Sequence, residues 1–294
     1  MNSRGAMSLI LALALGTAFA ASPSRQVSST DLTKARAVLR EGLRSEEFWP
    51  AMHAAEAMTI AGLQDEVVVY LKPKLADEKD DQRRCGLARE LVRAGERYYA
   101  AVMFDILQSD DPHGHVHAAE SLFKVGWQGR YDPLTKAFNE SDNVILRLMA
   151  AGALAQHGLP ESRAQGLKFL RDVMSHSSAV NDYRIAAWVL GRTGEPEDAA
   201  LIRSRLADTT DPRARAFLHH ALAVFGDEVG RAKLRENLIS ENAAFRTYAA
   251  TFAGDARMSE VVPLLVELLD DENLDTRIRA AQSIFALRNI TSSP

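Results

Sequence analysis

The sequence has 294 residues, 39 acidic against 35 basic, a formal net charge of −4 and a single cysteine. A mildly acidic chain whose basic residues are scattered among acids lacks the electrostatic footprint of a nucleic-acid binder. One cysteine rules out an internal disulfide, so stability must come from packing. The first predicted element is an export signal. Arg4 precedes an uncharged run from Met7 to Ala20, and Ala18-Phe19-Ala20 places small residues where a signal peptidase reads them. The run is too short to span a bilayer, which takes about 20 residues. Cleavage is expected after Ala20, giving a periplasmic or secreted protein. Residues 21–30 then read as a polar linker, residues 31–290 as the folded array and residues 291–294 as a tail.

Beyond the linker one pattern recurs eight times. Small pairs stand at Ala54-Ala55, Ala118-Ala119, Ala150-Ala151, Ala186-Ala187, Ala249-Ala250 and Ala280-Ala281. They let a neighbouring helix approach closely. An apolar residue three positions on (Met58, Leu122, Leu154, Leu190, Ala253, Ile284) falls on the same helical face and enters the core. Gly62, Gly95, Gly126, Gly158, Gly194 and Gly226 end the segment at intervals of 31 to 36 residues, and Arg257 takes the equivalent place in the next repeat. Glycine is expected there because it adopts a left-handed backbone without steric cost. Each such segment is followed by a second amphipathic stretch: 66–75, 98–107, 131–138, 163–174, 199–206, 230–239 and 259–269. Asp with Pro, as in Asp111-Pro112 and Asp211-Pro212, marks turns into the next repeat.

An acidic turn, an Arg, an alanine pair and an apolar residue together resemble the HEAT repeat, in the bacterial form related to phycobilisome lyases. Asp142 with Arg147, Asp211 with Arg215, Glu241 with Arg246 and Asp271 with Arg277 carry the resemblance, whereas Ala51 and His115 stand where Arg would be in the first and third repeats. The resemblance implies an all-α fold, a right-handed α-solenoid of about eight helical hairpins. It also implies that the Asp–Arg pairs link neighbouring repeats, and that the Arg-bearing helix of each hairpin lines the concave side.

On that helix the exposed row is expected two positions per repeat, three residues apart: His53/Glu56, Gly86/Arg89, His117/Glu120, Met149/Gly152, Ile185/Trp188, Phe217/His220, Tyr248/Thr251 and Arg279/Gln282. An apolar and aromatic strip (Trp188, Phe217, His220, Tyr248) adjoins a polar half (Glu56, Arg89, Glu120), as a surface for a protein or an extended peptide would. No nucleic acid, membrane span or cofactor is expected. His53 with Glu56 and His117 with Glu120 are the weak metal candidates, because His and Glu three apart share a helical face. His113, His115 and His117 alternate, and on a helix they point in different directions. A metal-dependent enzyme and an accessory subunit of an exported hydrolase are the alternatives to a scaffold. Deoxyhypusine hydroxylase, a HEAT-like di-iron enzyme, carries His-Glu dipeptides, and this sequence has none. No glycine-rich phosphate loop or nucleophile elbow is present. Cys85, beside core positions, reads as a small buried apolar residue.

Overall fold

In a computed structural model, residues 27–127, 129 and 132–291 are described, so the expected export signal lies outside them. The described chain is a succession of helical hairpins. The first members are α1 (Ser29–Leu43), α3 (Gln64–Asp77), α5 (Ala100–Leu107), α7 (Asp132–Glu140), α9 (Pro160–His176), α11 (Asp198–Asp208), α13 (Glu228–Leu238) and α15 (Val262–Glu267). Their partners are α2 (Phe48–Ile60), α4 (Asp81–Arg93), α6 (His115–Lys124), α8 (Val144–His157), α10 (Val180–Thr193), α12 (Pro212–Val224), α14 (Ala243–Asp255) and α16 (Leu274–Thr291). Short 3-10 turns at Arg97–Tyr99 and Ser259–Val261 lead into α5 and α15.

Local chemistry sets these ends. Asp80, Asn143, Asp211 and Asn242 accept hydrogen bonds from free first-turn N–H groups of α4, α8, α12 and α14. Pro212 begins α12, where its missing N–H costs nothing. Ser28 and Asp31 form a reciprocal capping box on α1, which therefore starts slightly earlier than the polar linker suggests. At the other end, Gly62, Gly95, Gly126 and Gly226 have φ between 59 and 105°. Gly158 and Gly194 depart from the expectation, with φ of −70 and −75°. They are needed for room: a Cβ would lie 2.4 Å from the Leu154 carbonyl oxygen at Gly158, and 2.7 Å from the Leu190 carbonyl oxygen at Gly194.

Arg257 holds the left-handed position at φ 53° with a full side chain. Arg257→Gly is therefore expected to stabilise the fold by about 0.5–1 kcal/mol. Urea unfolding reads this directly, and an unchanged or lower midpoint would show the backbone to be unstrained there.

The alanine pairs are buried to within 1 % exposure at all six places. The repeat arginines act differently from the family expectation. Arg147 donates to the Phe138 carbonyl, and Arg215 to those of Leu206 and Thr209, so each closes the end of the preceding outer helix in its own hairpin. Arg246 does link repeats, through Asp271 at 2.6 and 3.0 Å.

The array does not end where its repeats end. α16 packs against α14 on one side and against α1 and α2 on the other. His53 Nδ1 lies 2.7 Å from Asp275, and Arg279 donates to Glu56 at 3.1 Å. Arg277 reaches Glu41 at 2.6 Å, and Lys34 pairs with Asp270. Gly42 of α1 sits so near α16 that a Cβ would lie 2.5 Å from Ile278 Cδ1. The eight hairpins therefore close into a ring, with the even-numbered helices inside. Residues 53 and 56 of α2 meet 275 and 279 of α16 in the same order, so the inner helices on either side of the seam run parallel.

Candidate functional site: the lumen of the ring

Closure turns the concave face into a central cavity of about 1070 Å³ that stays open to solvent. Its walls run from first-turn residues (Trp49, Ile145, Arg184, Ala243) to last-turn residues (Ile60, Lys124, Gln156, Arg192, Asp255) of the inner helices, so it follows the ring axis.

Most of the expected row faces it. His53, Glu56, Glu120, Met149, Ile185, Trp188, Phe217, Tyr248, Thr251, Arg279 and Gln282 line the lumen. Trp188 and Phe217 do so while largely packed, at 7 and 6 % exposure. Trp188 sets its edge on Phe123, with the Arg192 guanidinium 4.4 Å and the Lys124 ammonium 5.5 Å from its ring centre. Five positions of the row are not among the lining residues: Gly86, Arg89, His117, Gly152 and His220. His220 is fully buried, stacked on Phe252 at 3.7 Å with Nε2 3.3 Å from Asp255. It fills the gap between α12 and α14, and Phe252 reaches the lumen instead. Arg89 is 4 % exposed and turns to Glu90 at 2.6 Å. Gly86, also on α4, packs under Phe48 and Trp49, leaving Arg93 as the lumen residue of α4.

Several of the luminal charges are paired with one another. Glu56 sits between Arg93 at 3.2 Å and Arg279 at 3.1 Å. Burial opposes its ionisation, but the two guanidiniums outweigh burial and hold its carboxyl well below the usual carboxylate range. Glu120 accepts from Lys124 at 2.6 Å, and against the cost of burial Lys124 and Arg89 bring its pKa to about 2. Asp255 is paired with Arg192 at 2.5 Å and is likewise lowered despite burial. Burial and Arg279 push His53 down although Asp275 pulls the other way.

Sequence reading missed Arg93, Lys124, Arg192 and Arg184. Each lies four residues from a position in the expected row (Arg89, Glu120, Trp188), so continuing the row by one helical turn in both directions finds them. Asp255 and Asp275 follow the same rule, four residues from Thr251 and Arg279, although their partners Arg192 and His53 come from distant repeats.

The metal candidates are engaged otherwise. His53 is held by Asp275 and Glu120 by Lys124, while His117 stacks on Trp49 at 5.5 Å. Among the described residues, no group of three or more His, Cys, Asp and Glu is placed to hold a metal ion. His113 pairs with Asp80, and His115 lies 3.0 Å from the Ser109 carbonyl, so the alternating histidines diverge as their spacing implies. Cys85 is buried at 0 % exposure, and burial pushes its thiol up to about 12, away from nucleophilic use.

His219 lies outside the lumen at 4 % exposure, and neither ring nitrogen has a hydrogen-bond partner. Burial, with Arg215 and Lys233, lowers its pKa to about 4. A neutral form preferred in the fold gives full stability above the unfolded value near 6.5, lost as pH falls from there towards 4. His219→Leu is expected to remove about 2 kcal/mol of the stability loss between pH 7 and pH 5. Urea midpoints of both proteins at the two pH values test this, and an identical loss in the variant would exonerate His219.

The ring of α-hairpins defines a helical-repeat protein. Residues 131–223 match the model of HEAT repeats, and the same hairpin recurs on both sides of that stretch. The chain is similar to E. coli YibA (20 % identity, 60 % of this chain and 67 % of that one, TM-score 0.38). It is also similar to human deoxyhypusine hydroxylase solved with glycerol (14 %, 88 % and 98 %, TM-score 0.39). An engineered protein aligns at 20 % identity over 89 % of this chain and 79 % of its own (TM-score 0.32). No curated protein sequence matches.

Proposed function

We propose that this is an exported binding scaffold whose ligand, an extended peptide segment of another protein, lies along the lumen. The observation that carries this reading is the closure of the ring around the aromatic strip. A cavity of about 1070 Å³ is too small to hold a folded partner and lies at the upper end of ligand sites, roughly 300–1,000 Å³. Inner helices of 13 or 14 residues are about 20 Å long, the reach of roughly six extended residues. Trp188, Phe217 and Tyr248 offer apolar contact, and Thr251, Gln156 and Gln282 offer hydrogen bonds to a peptide backbone. Export rests on the Met7–Ala20 run, and no helix among the described residues is long and apolar enough to cross a membrane.

The test is binding of a fluorescein-labelled hexapeptide pool to the wild type and to Met149→Trp, which fills the lumen from α8. Binding that disappears in the folded variant supports the reading. Binding equal in both proteins places the site elsewhere, and no binding to the wild type removes the peptide. For export, mass spectrometry of protein from the envelope fraction is expected to find a chain starting at Ala21, whereas one starting at Met1 would end that part of the reading.

A further inference from the structure

The luminal cations fall into two groups. Arg93, Lys124, Arg192 and Arg279 each have a carboxylate within 3.2 Å. Arg184 has no carboxylate within ion-pair distance among the described residues. Its guanidinium lies 4.9 Å over the Phe217 ring and reaches only the Asn181 side chain. One helix further on, Arg213, exposed and outside the residues that line the lumen, repeats the arrangement beside Tyr248, which does line it. Its guanidinium is 5.5 Å from the Tyr248 ring centre, it donates to Tyr248 Oη at 2.7 Å, and it too has no carboxylate within ion-pair distance among the described residues.

The two rings between the guanidiniums, Phe217 and Tyr248, touch edge to face at 5.2 Å. The nearby acids are occupied: Asp211 accepts from the Ala214 N–H at 2.7 Å, and Asp182 accepts from Ser177 at 3.1 Å. The cations also repel each other. After burial, Arg213 is the largest cause holding Arg184 below its ordinary range. Arg213 stands in the first turn of α12, where the backbone dipole is positive and an arginine is electrostatically misplaced, while Arg184 is the fifth residue of α10. The cations at the opposite mouth, Arg93, Lys124 and Arg192, sit at helix C-termini with carboxylates beside them.

Arg184 and Arg213 are thus two guanidiniums with no ion pair among the described residues, set against one aromatic step, and both are free to take an external anion. We propose that Arg184 and Arg213 form a carboxylate subsite at this mouth of the lumen, floored by Phe217 and Tyr248. This rests on the lumen being the binding site. The chemistry recognised is a planar carboxylate, from the C-terminus of an extended peptide or from a small aromatic acid. Anchoring at one end gives a peptide a fixed direction through the ring.

The experiment uses the full-length protein and three probes: a hexapeptide pool labelled at its N-terminus with a free C-terminus, the same pool amidated, and benzoate. Each is titrated against wild type, Arg184→Gln/Arg213→Gln, and Arg235→Gln as a control on α13. Circular dichroism confirms that each variant is folded. Amidation is expected to weaken binding about tenfold, by loss of charge-assisted hydrogen bonds, and the double variant should not distinguish the two pools. Benzoate bound by wild type alone, with neither pool bound, would keep the subsite, assign it to small acids and remove the peptide. Pools bound alike by wild type, with no effect of the arginines, would overturn the subsite and leave the lumen reading standing. Failure of all three probes would overturn both.

Discussion

A chain cut after Met258 is expected to lose its fold rather than one hairpin. In an open array the terminal repeat touches one neighbour, and its loss removes one interface. Here the eighth hairpin touches two. Its side chains Val261, Leu265, Leu269, Ile278, Ile284 and Phe285 are all at 2 % exposure or less. At about 1.5–3 kcal/mol for each fully buried apolar side chain, their removal forfeits on the order of 10 kcal/mol, comparable with the whole net stability of a domain. The cut also strips Glu56 of Arg279, His53 of Asp275 and Arg246 of Asp271. Size-exclusion chromatography with circular dichroism should find the shortened chain aggregated or unfolded. A monomer melting near the wild-type temperature would contradict the closed ring.

Glu56→Ala is expected to cost roughly 3 kcal/mol, about 10 °C in melting temperature. The carboxylate is the shared acceptor of Arg93 and Arg279, each no more than 16 % exposed, and it joins α2 to α16 across the seam. Arg93 keeps Glu90 at 2.5 Å, so the uncompensated charge in the variant is chiefly Arg279, left with Gln282. Replacing that guanidinium as well, in Glu56→Ala/Arg279→Met, should recover part of the loss, because an apolar pair of similar length needs no counter-charge. If the double variant is less stable than the sum of the single changes, the ion pair is not what Glu56 provides.

How legible all this was in the sequence depends on distance along the chain. The hairpins were readable because their determinants are local: Ala186-Ala187 lies three residues before Leu190, and Asp211 caps a helix that starts at the next residue. The outward and inward faces were readable from the same period, which is why His53, Glu56, Trp188 and Tyr248 were placed on the inner wall. His220 and Arg89 were misplaced because a helical wheel gives an angle and not the neighbour. Phe252 from the next inner helix covers His220, and Glu90 draws Arg89 aside. Closure was invisible, since it depends on contacts such as His53 with Asp275 that no periodicity connects. The pairing of charges around the lumen went with it: the row extended by one turn reaches Asp255 and Asp275, but nothing in the sequence assigns them to Arg192 and His53.

The closed ring also constrains how the chain can vary. An open stack gains or loses a hairpin without disturbing the others, because each new unit is added at an end. A ring has no end to add to. Eight units returning to their start fix the mean turn between neighbours at about 45°, set by the small residues at every interface. A ninth hairpin, or the loss of one, would require all the remaining junctions to change their angle together. Repeat number is therefore locked in this protein in a way that its repeat length, which ranges from 31 to 36 residues, is not. Variation that alters what the lumen holds is confined to the side chains that face it.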